Sequence, residues 1–106
     1  MSDNQILEQL RNLAHTVVPK DGLTILFGSR ARGTSRSDSD WDILIILDKN
    51  QITPEDYNNV AFPFDQIGWN MNVDINPIIY TKKNWELSSH TPFYKNVTKE
   101  GIVLWA

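Results

Sequence analysis

Seven consecutive residues, Trp41-Asp42-Ile43-Leu44-Ile45-Ile46-Leu47, constrain this chain more than any other stretch. They are nearly all apolar and rich in β-branched side chains, the composition of a strand buried on both faces. Ile43 to Leu47 is also the densest apolar run in the chain, and it is far too short to cross a bilayer. The chain must therefore place this strand inside a small covered sheet.

The flanking segments provide the cover. Ser2 and Gln5 stand at capping-box spacing, and Ile6, Leu7, Leu10, Leu13, Ala14 and Val17 then recur at helical spacing until Pro19 and Gly22. Leu23 to Phe27 reads as a strand, and Ser29 to Arg32 as a short helix closed by Gly33. Thr53-Pro54 followed by Glu55 and Asp56 starts a helix expected to run to about Val60, with Pro63 breaking or kinking it. Met71 to Tyr80 reads as a third strand whose Pro77 belongs at an edge or bulge. Thr81 to Leu87 reads as a helical turn, Pro92 to Glu100 as a last helix stopped by Gly101, and Ile102 to Trp105 as a final strand. The fold class is α/β (α+β), a small mixed sheet flanked by helices.

With 106 residues the expectation is one domain, residues 1–106. A chain of that length buries roughly two thirds of its unfolded surface, enough for one core. Cysteine is absent, which excludes disulfides and Cys-ligated zinc or iron–sulfur sites. Met1 to Gln5 lacks the basic start and apolar stretch of a signal peptide, so a soluble cytoplasmic protein is expected. The net charge of −3 disfavours a nucleic-acid partner. Locally the charge inverts: Arg30, Arg32 and Arg36 come immediately before Asp38, Asp40 and Asp42. A solvated loop looks like this, and so does a site that holds a polyphosphate with its divalent metals.

Gly28-Ser29-Arg30-Ala31-Arg32-Gly33 joins a strand to a helix. Free N–H groups at such a junction bind anions, Gly28 allows close approach, and the Ser29 hydroxyl can donate to a phosphate oxygen. The segment is not a P-loop, because Thr34 stands where that motif needs lysine. Nor do Asp38, Asp40 and Asp42 open an EF-hand, since Ile43 and Lys49 replace its glycine and glutamate.

Asp40 and Asp42 are two apart at a strand entry, which points them to one face. Two ionised carboxylates so close repel, and a divalent cation relieves the repulsion. Asp74, between Val73 and Ile75, shares a face with Asn72 and Asn76, and it adds a third carboxylate. His15 and His90 read as non-catalytic, and Trp41 as a packing residue. Trp105 is the candidate for an exposed partner patch.

Gly28 to Gly33, followed by Asp38-Ser39-Asp40-Trp41-Asp42-Ile43-Leu44-Ile45, resembles the signature of the DNA polymerase beta-like nucleotidyltransferases. A distal strand aspartate, here Asp74, belongs to the same pattern. Pro92 to Val97 and Glu100 to Leu104 resemble the C-terminal end of the minimal subgroup, including its antitoxin-type members. The resemblance implies a two-metal mechanism with two Mg²⁺ ions held by Asp40 and Asp42, and with Asp74 completing the metal site as general base. Gly28 and Ser29 would hold phosphates of a nucleoside triphosphate, ATP in the favoured case. Arg30 and Arg32 would either offset phosphate charge or form structural ion pairs.

The chain has no room for the acceptor domain of larger relatives. The resemblance therefore implies transfer of a nucleotide, AMP foremost, to a hydroxyl on a helical partner such as a HEPN-type toxin. Two alternatives stand beside it. One is an antitoxin that neutralises its partner by contact alone, and the other is transfer to a small molecule such as an aminoglycoside, which would call for a homo-oligomer.

Overall fold

The computed structural model describes residues 1–106. The Ser2 hydroxyl accepts the Gln5 N–H, and the Gln5 side chain accepts the Ser2 N–H, closing the capping box that starts α1 (Asp3–Val17). Ile6, Leu10 and Ala14, four apart, form its buried stripe. Strand β1 (Leu23–Phe27) leads into α2 (Ser29–Arg32), a single turn closed by Gly33 in the left-handed region. In β2 (Trp41–Leu47) every residue except Asp42 is buried.

The helix expected to run to about Val60, with Pro63 breaking or kinking it, is not broken there but continues past Pro63. Helix α3 (Pro54–Asp56) runs into a widened π-type turn, Tyr57–Ala61, and on into α4 (Phe62–Met71). Proline lacks an N–H, and its ring presses on the carbonyl one turn back. In the wider turn the Phe62 N–H reaches five residues back to the Tyr57 carbonyl, so the chain accommodates Pro63 without leaving the helix.

Because α4 extends to Met71, the third strand starts later than the alternating pattern predicts: β3 is Ile75–Thr81. Asn72 turns left-handed and the Val73 N–H returns to the Gly68 carbonyl at 2.9 Å, so residues 72–74 form the turn out of the helix. Thr81 caps α5 (Lys82–Leu87), Thr91 caps α6 (Pro92–Glu100), and β4 (Ile102–Trp105) ends the chain.

The sheet order is β3-β2-β1-β4. β2 pairs with β3 in parallel and with β1 antiparallel, and β1 also pairs with β4 antiparallel, so the sheet is mixed as expected. Pro77 lies in β3, an edge strand, where a missing N–H is tolerated. Alternation along β2 divides the core. Ile43, Ile45 and Leu47 join Leu26, Leu10 and Phe64 on the side covered by α1 and α4. Leu44 and Ile46 join Ile25, Trp85 and Val97 on the side covered by α5 and α6. No helix is long and apolar enough to cross a membrane.

Candidate active site

The site is assembled at the end of the sheet where β1 finishes and β2 and β3 begin. Antiparallel register places Phe27 opposite Asp42, so the residue after Phe27 must pass the Asp42 carboxylate. That residue is Gly28, at φ +76°. A Cβ there would run into Asp42 Oδ2. The backbone angle favours glycine, and any side chain there would displace the Asp42 carboxylate. This contact joins the loop read as phosphate-binding to one of the two strand-entry acids.

Helix α2 is too short to develop much of a dipole, so its anion-binding capacity is local. The Gly28 carbonyl accepts the N–H groups of Ala31 and Arg32 at 3.1 Å. The first-turn N–H groups of Ser29 and Arg30 have no partner within the helix. The Ser29 hydroxyl makes no hydrogen bond within the chain and is partly exposed. These donors are available to a phosphate.

Arg30 is not. Its side chain is only 6% exposed and lies over the Trp41 ring, 4.6 Å from the centroid. Nη2 donates to the carbonyls of Ser39 (3.0 Å) and Ser37 (3.3 Å), and Nε donates to Ser39 as well (3.3 Å). Nη1 donates to Asp3 Oδ2 (3.2 Å) and Ser35 Oγ (3.4 Å). All five guanidinium N–H donors are thus committed. Of the two roles left open for it, phosphate contact and structural ion pair, Arg30 makes the second here: it holds the loop that carries Asp38 and Asp40 against the sheet. Arg32 differs, being exposed in a long 3.4 Å ion pair with Glu100. Such a pair is worth roughly 0–1 kcal/mol, so Arg32 can leave it for a stronger anion.

The acids are gathered less tightly than the alternating pattern implies. Asp42 is half-buried and Asp40, just outside β2, is exposed. Asp74 is not at a strand centre: it is the exposed last residue of the turn before β3, and its carbonyl accepts the Trp41 N–H at 2.9 Å. The parallel register begins at Trp41 and Ile75, so Asp40 and Asp74 flank it from the same end. Asp74 lines a shallow polar depression of about 240 Å³ together with Asp38, Asn72 and Arg30. No three acidic or histidine side chains close into a cage for an ion. The donor chemistry nonetheless fits Mg²⁺, a hard cation held by one or two carboxylates with substrate phosphates and water completing its shell.

Asn76 is a site residue that the sequence reading left without a role. Its Nδ2 donates to Asp42 Oδ1 at 3.2 Å, across the Asp42–Asn76 pair of β2 and β3. Alternation had placed it on the face of Asp74, but only strand pairing tells which acid it touches. Trp105, expected to form an exposed patch, is not the exposed tryptophan. Trp105 is partly buried against the His15 ring at 4.3 Å, because β4 pairs with β1 under α1, while Trp69 on α4 is 68% exposed. A larger charged depression, about 470 Å³ and lined by Lys49, Lys82, Lys83 and Glu86, lies beyond the other end of β2, away from the glycine loop.

Residues 8–106 match the family described as polymerase beta, nucleotidyltransferase. The chain belongs to that family. A Methanocaldococcus jannaschii protein assigned as a protein adenylyltransferase is 35% identical over 81 residues, 76% of this chain and 75% of that protein. Among solved structures, a toxin–antitoxin complex with AMP-PNP superposes with a TM-score of 0.62 at 21% identity, covering 100% of this chain and 74% of that one. The complex of tri-AMPylated Shewanella oneidensis HEPN toxin with MNT antitoxin gives 0.60 at 17% identity, covering 99% and 73%. Both likenesses show the fold. The chain is a polymerase beta-type nucleotidyltransferase.

Proposed function

We propose that this protein transfers AMP from ATP to a hydroxyl group of a helical partner protein, a HEPN-type toxin, and so silences it. The observation that carries the reading is the contact between Gly28 and Asp42, which puts free phosphate-binding N–H groups next to a strand-entry carboxylate. The relative assigned to protein adenylylation and the fold shared with HEPN–MNT complexes support a protein acceptor. The acidic balance, −3 overall, works against a polyanionic one. Cytoplasmic action fits such a partner.

In this reading Asp40 and Asp42 would hold Mg²⁺, with Asp74 as a further ligand. When bound, the metal would neutralise triphosphate charge and acidify the acceptor hydroxyl. Gly28 and Ser29 grip the outer phosphates, and Arg32 exchanges Glu100 for phosphate oxygen. Arg30 keeps the Asp38–Asp40 loop in place. The acceptor oxygen attacks the α-phosphorus, the bond from that phosphorus to pyrophosphate breaks, and a carboxylate oxygen of Asp74 takes the hydroxyl proton. A tyrosine acceptor suits this base, because its pKa of about 10 lies well below that of an aliphatic alcohol.

Intact-mass spectrometry of the partner after incubation with ATP and Mg²⁺ tests the proposal. One or more AMP masses on the partner are expected, and none with Asp40→Asn/Asp42→Asn. An unmodified partner still neutralised by that double variant would establish inhibition by contact instead.

A further inference from the structure

Asp42 receives one hydrogen bond from another side chain, and the donor is Asn76. The arrangement is built from three directions. Parallel pairing sets Asn76 directly beside Asp42 on the same face of the sheet. Pro77 follows Asn76, and a residue before proline is driven to extended backbone. This stiffens an edge strand that has a partner on one side only. On the far side of the carboxylate, Oδ2 fills the space where any side chain at position 28 would stand. One oxygen is thus tied to an amide and the other rests against a glycine.

We infer that Asn76 is a positioning residue for nucleotidyl transfer: its amide fixes the plane of the Asp42 carboxylate before cation and triphosphate arrive. The choice of residue supports the role. An aspartate of the same shape at 76 would set two carboxylates 3.2 Å apart and repel where Asn76 attracts. The amide nitrogen is the atom that faces Asp42, because two oxygens there would repel. Asn76 is exposed, so its side chain contributes little to packing, and its one polar contact within the chain is Asp42. Partners that orient a metal-binding side chain typically change metal affinity or activity by about 10–100-fold when removed. The inference rests on Asp42 being a metal ligand, as proposed above.

The test measures Mn²⁺ binding by electron paramagnetic resonance in the presence of a non-hydrolysable ATP analogue, alongside kcat and KM for ATP. Asn76→Ala is expected to weaken Mn²⁺ binding and lower kcat by about 10-fold or more. KM for ATP at saturating Mn²⁺ and the melting temperature should stay near the parent values. Asn76→Gln, which keeps an amide donor, should recover part of the loss. In an Asp42→Asn background, Asn76→Ala should change nothing further. Parent-like Mn²⁺ binding and kcat in Asn76→Ala, or an equal loss with and without Asp42, would overturn the role of Asn76 while leaving the metal site standing. A parent protein that binds no Mn²⁺ with the analogue would overturn both.

Discussion

The two faces of the sheet are made from the same strands and do different work. On the side of α1 and α4, β2 presents Trp41, Ile43, Ile45 and Leu47, and apolar contact runs unbroken from one end to the other. On the side of α5 and α6 it presents Leu44 and Ile46 but gives up its first position to Asp42. The apolar cluster there is smaller, and aromatic residues extend it: Phe27 packs edge-on against Phe93 at 5.3 Å, and Trp85 lies against Tyr94 at 4.7 Å. One face maximises burial, while the other exchanges burial at one end for carboxylates facing water. Burial and water-facing charge are therefore divided between alternate residues of one strand.

The largest expected effect tests the chemical side. Asp40→Asn/Asp42→Asn should abolish transfer, a loss of several kcal/mol in transition-state stabilisation and thus roughly 10³-fold or more. Circular dichroism should show an unchanged fold, since neither acid belongs to the apolar clusters. A variant that unfolds instead would mean that the reactive end of the sheet also supports the core.

Leu10→Ala probes the opposite face. Leu10 is fully buried, and truncation should cost about 2–5 kcal/mol in a denaturant titration. Transfer per folded molecule should be unaffected. A comparable fall in kcat would erase the distinction between the faces.

Gly28→Val should weaken nucleotide binding strongly, because the new side chain would displace the Asp42 carboxylate and strain a positive φ. Ser29→Ala should cost about 1 kcal/mol in triphosphate binding, the scale of one hydrogen bond, read by calorimetry. Parent-like binding in both would reduce the loop to a turn.

The smallest effect lies at the far end of β2. Lys49 pairs with Asp56, whose carboxyl is held below its ordinary value of 3.8 first by Lys49 and then by the Thr53 N–H. A lowered folded pKa adds stability above the ordinary value, and that stability is lost as pH falls through the folded one. Lys49→Met should therefore make the acid loss below about pH 4 shallower. At neutral pH it should cost less than about 1 kcal/mol, since water screens the partly exposed lysine. Asp65, raised by burial, works the other way and recovers stability as pH drops. Urea melts at pH 3 and 7 distinguish these contributions.

Much of this protein was determined by local sequence. The capping box at Ser2, the apolar run of β2 and the left-handed stop at Gly33 all follow from neighbours a few residues apart. The Gly28-Ser29 turn after β1 and the position of Asp40 and Asp42 at the entry of β2 were legible in the same way. Interactions distant in sequence settled the rest. Pro63 stayed inside a helix because a wider turn was available to absorb it, and that moved Asp74 out of the strand and into the turn. Arg30 looked the same as Arg32 in sequence, and only the folded loop, closing over Trp41, used all five of its donors. Asn76 acquired its role from register: the strand it belongs to was legible, but the residue opposite it was decided only when β2 and β3 paired in the folded sheet.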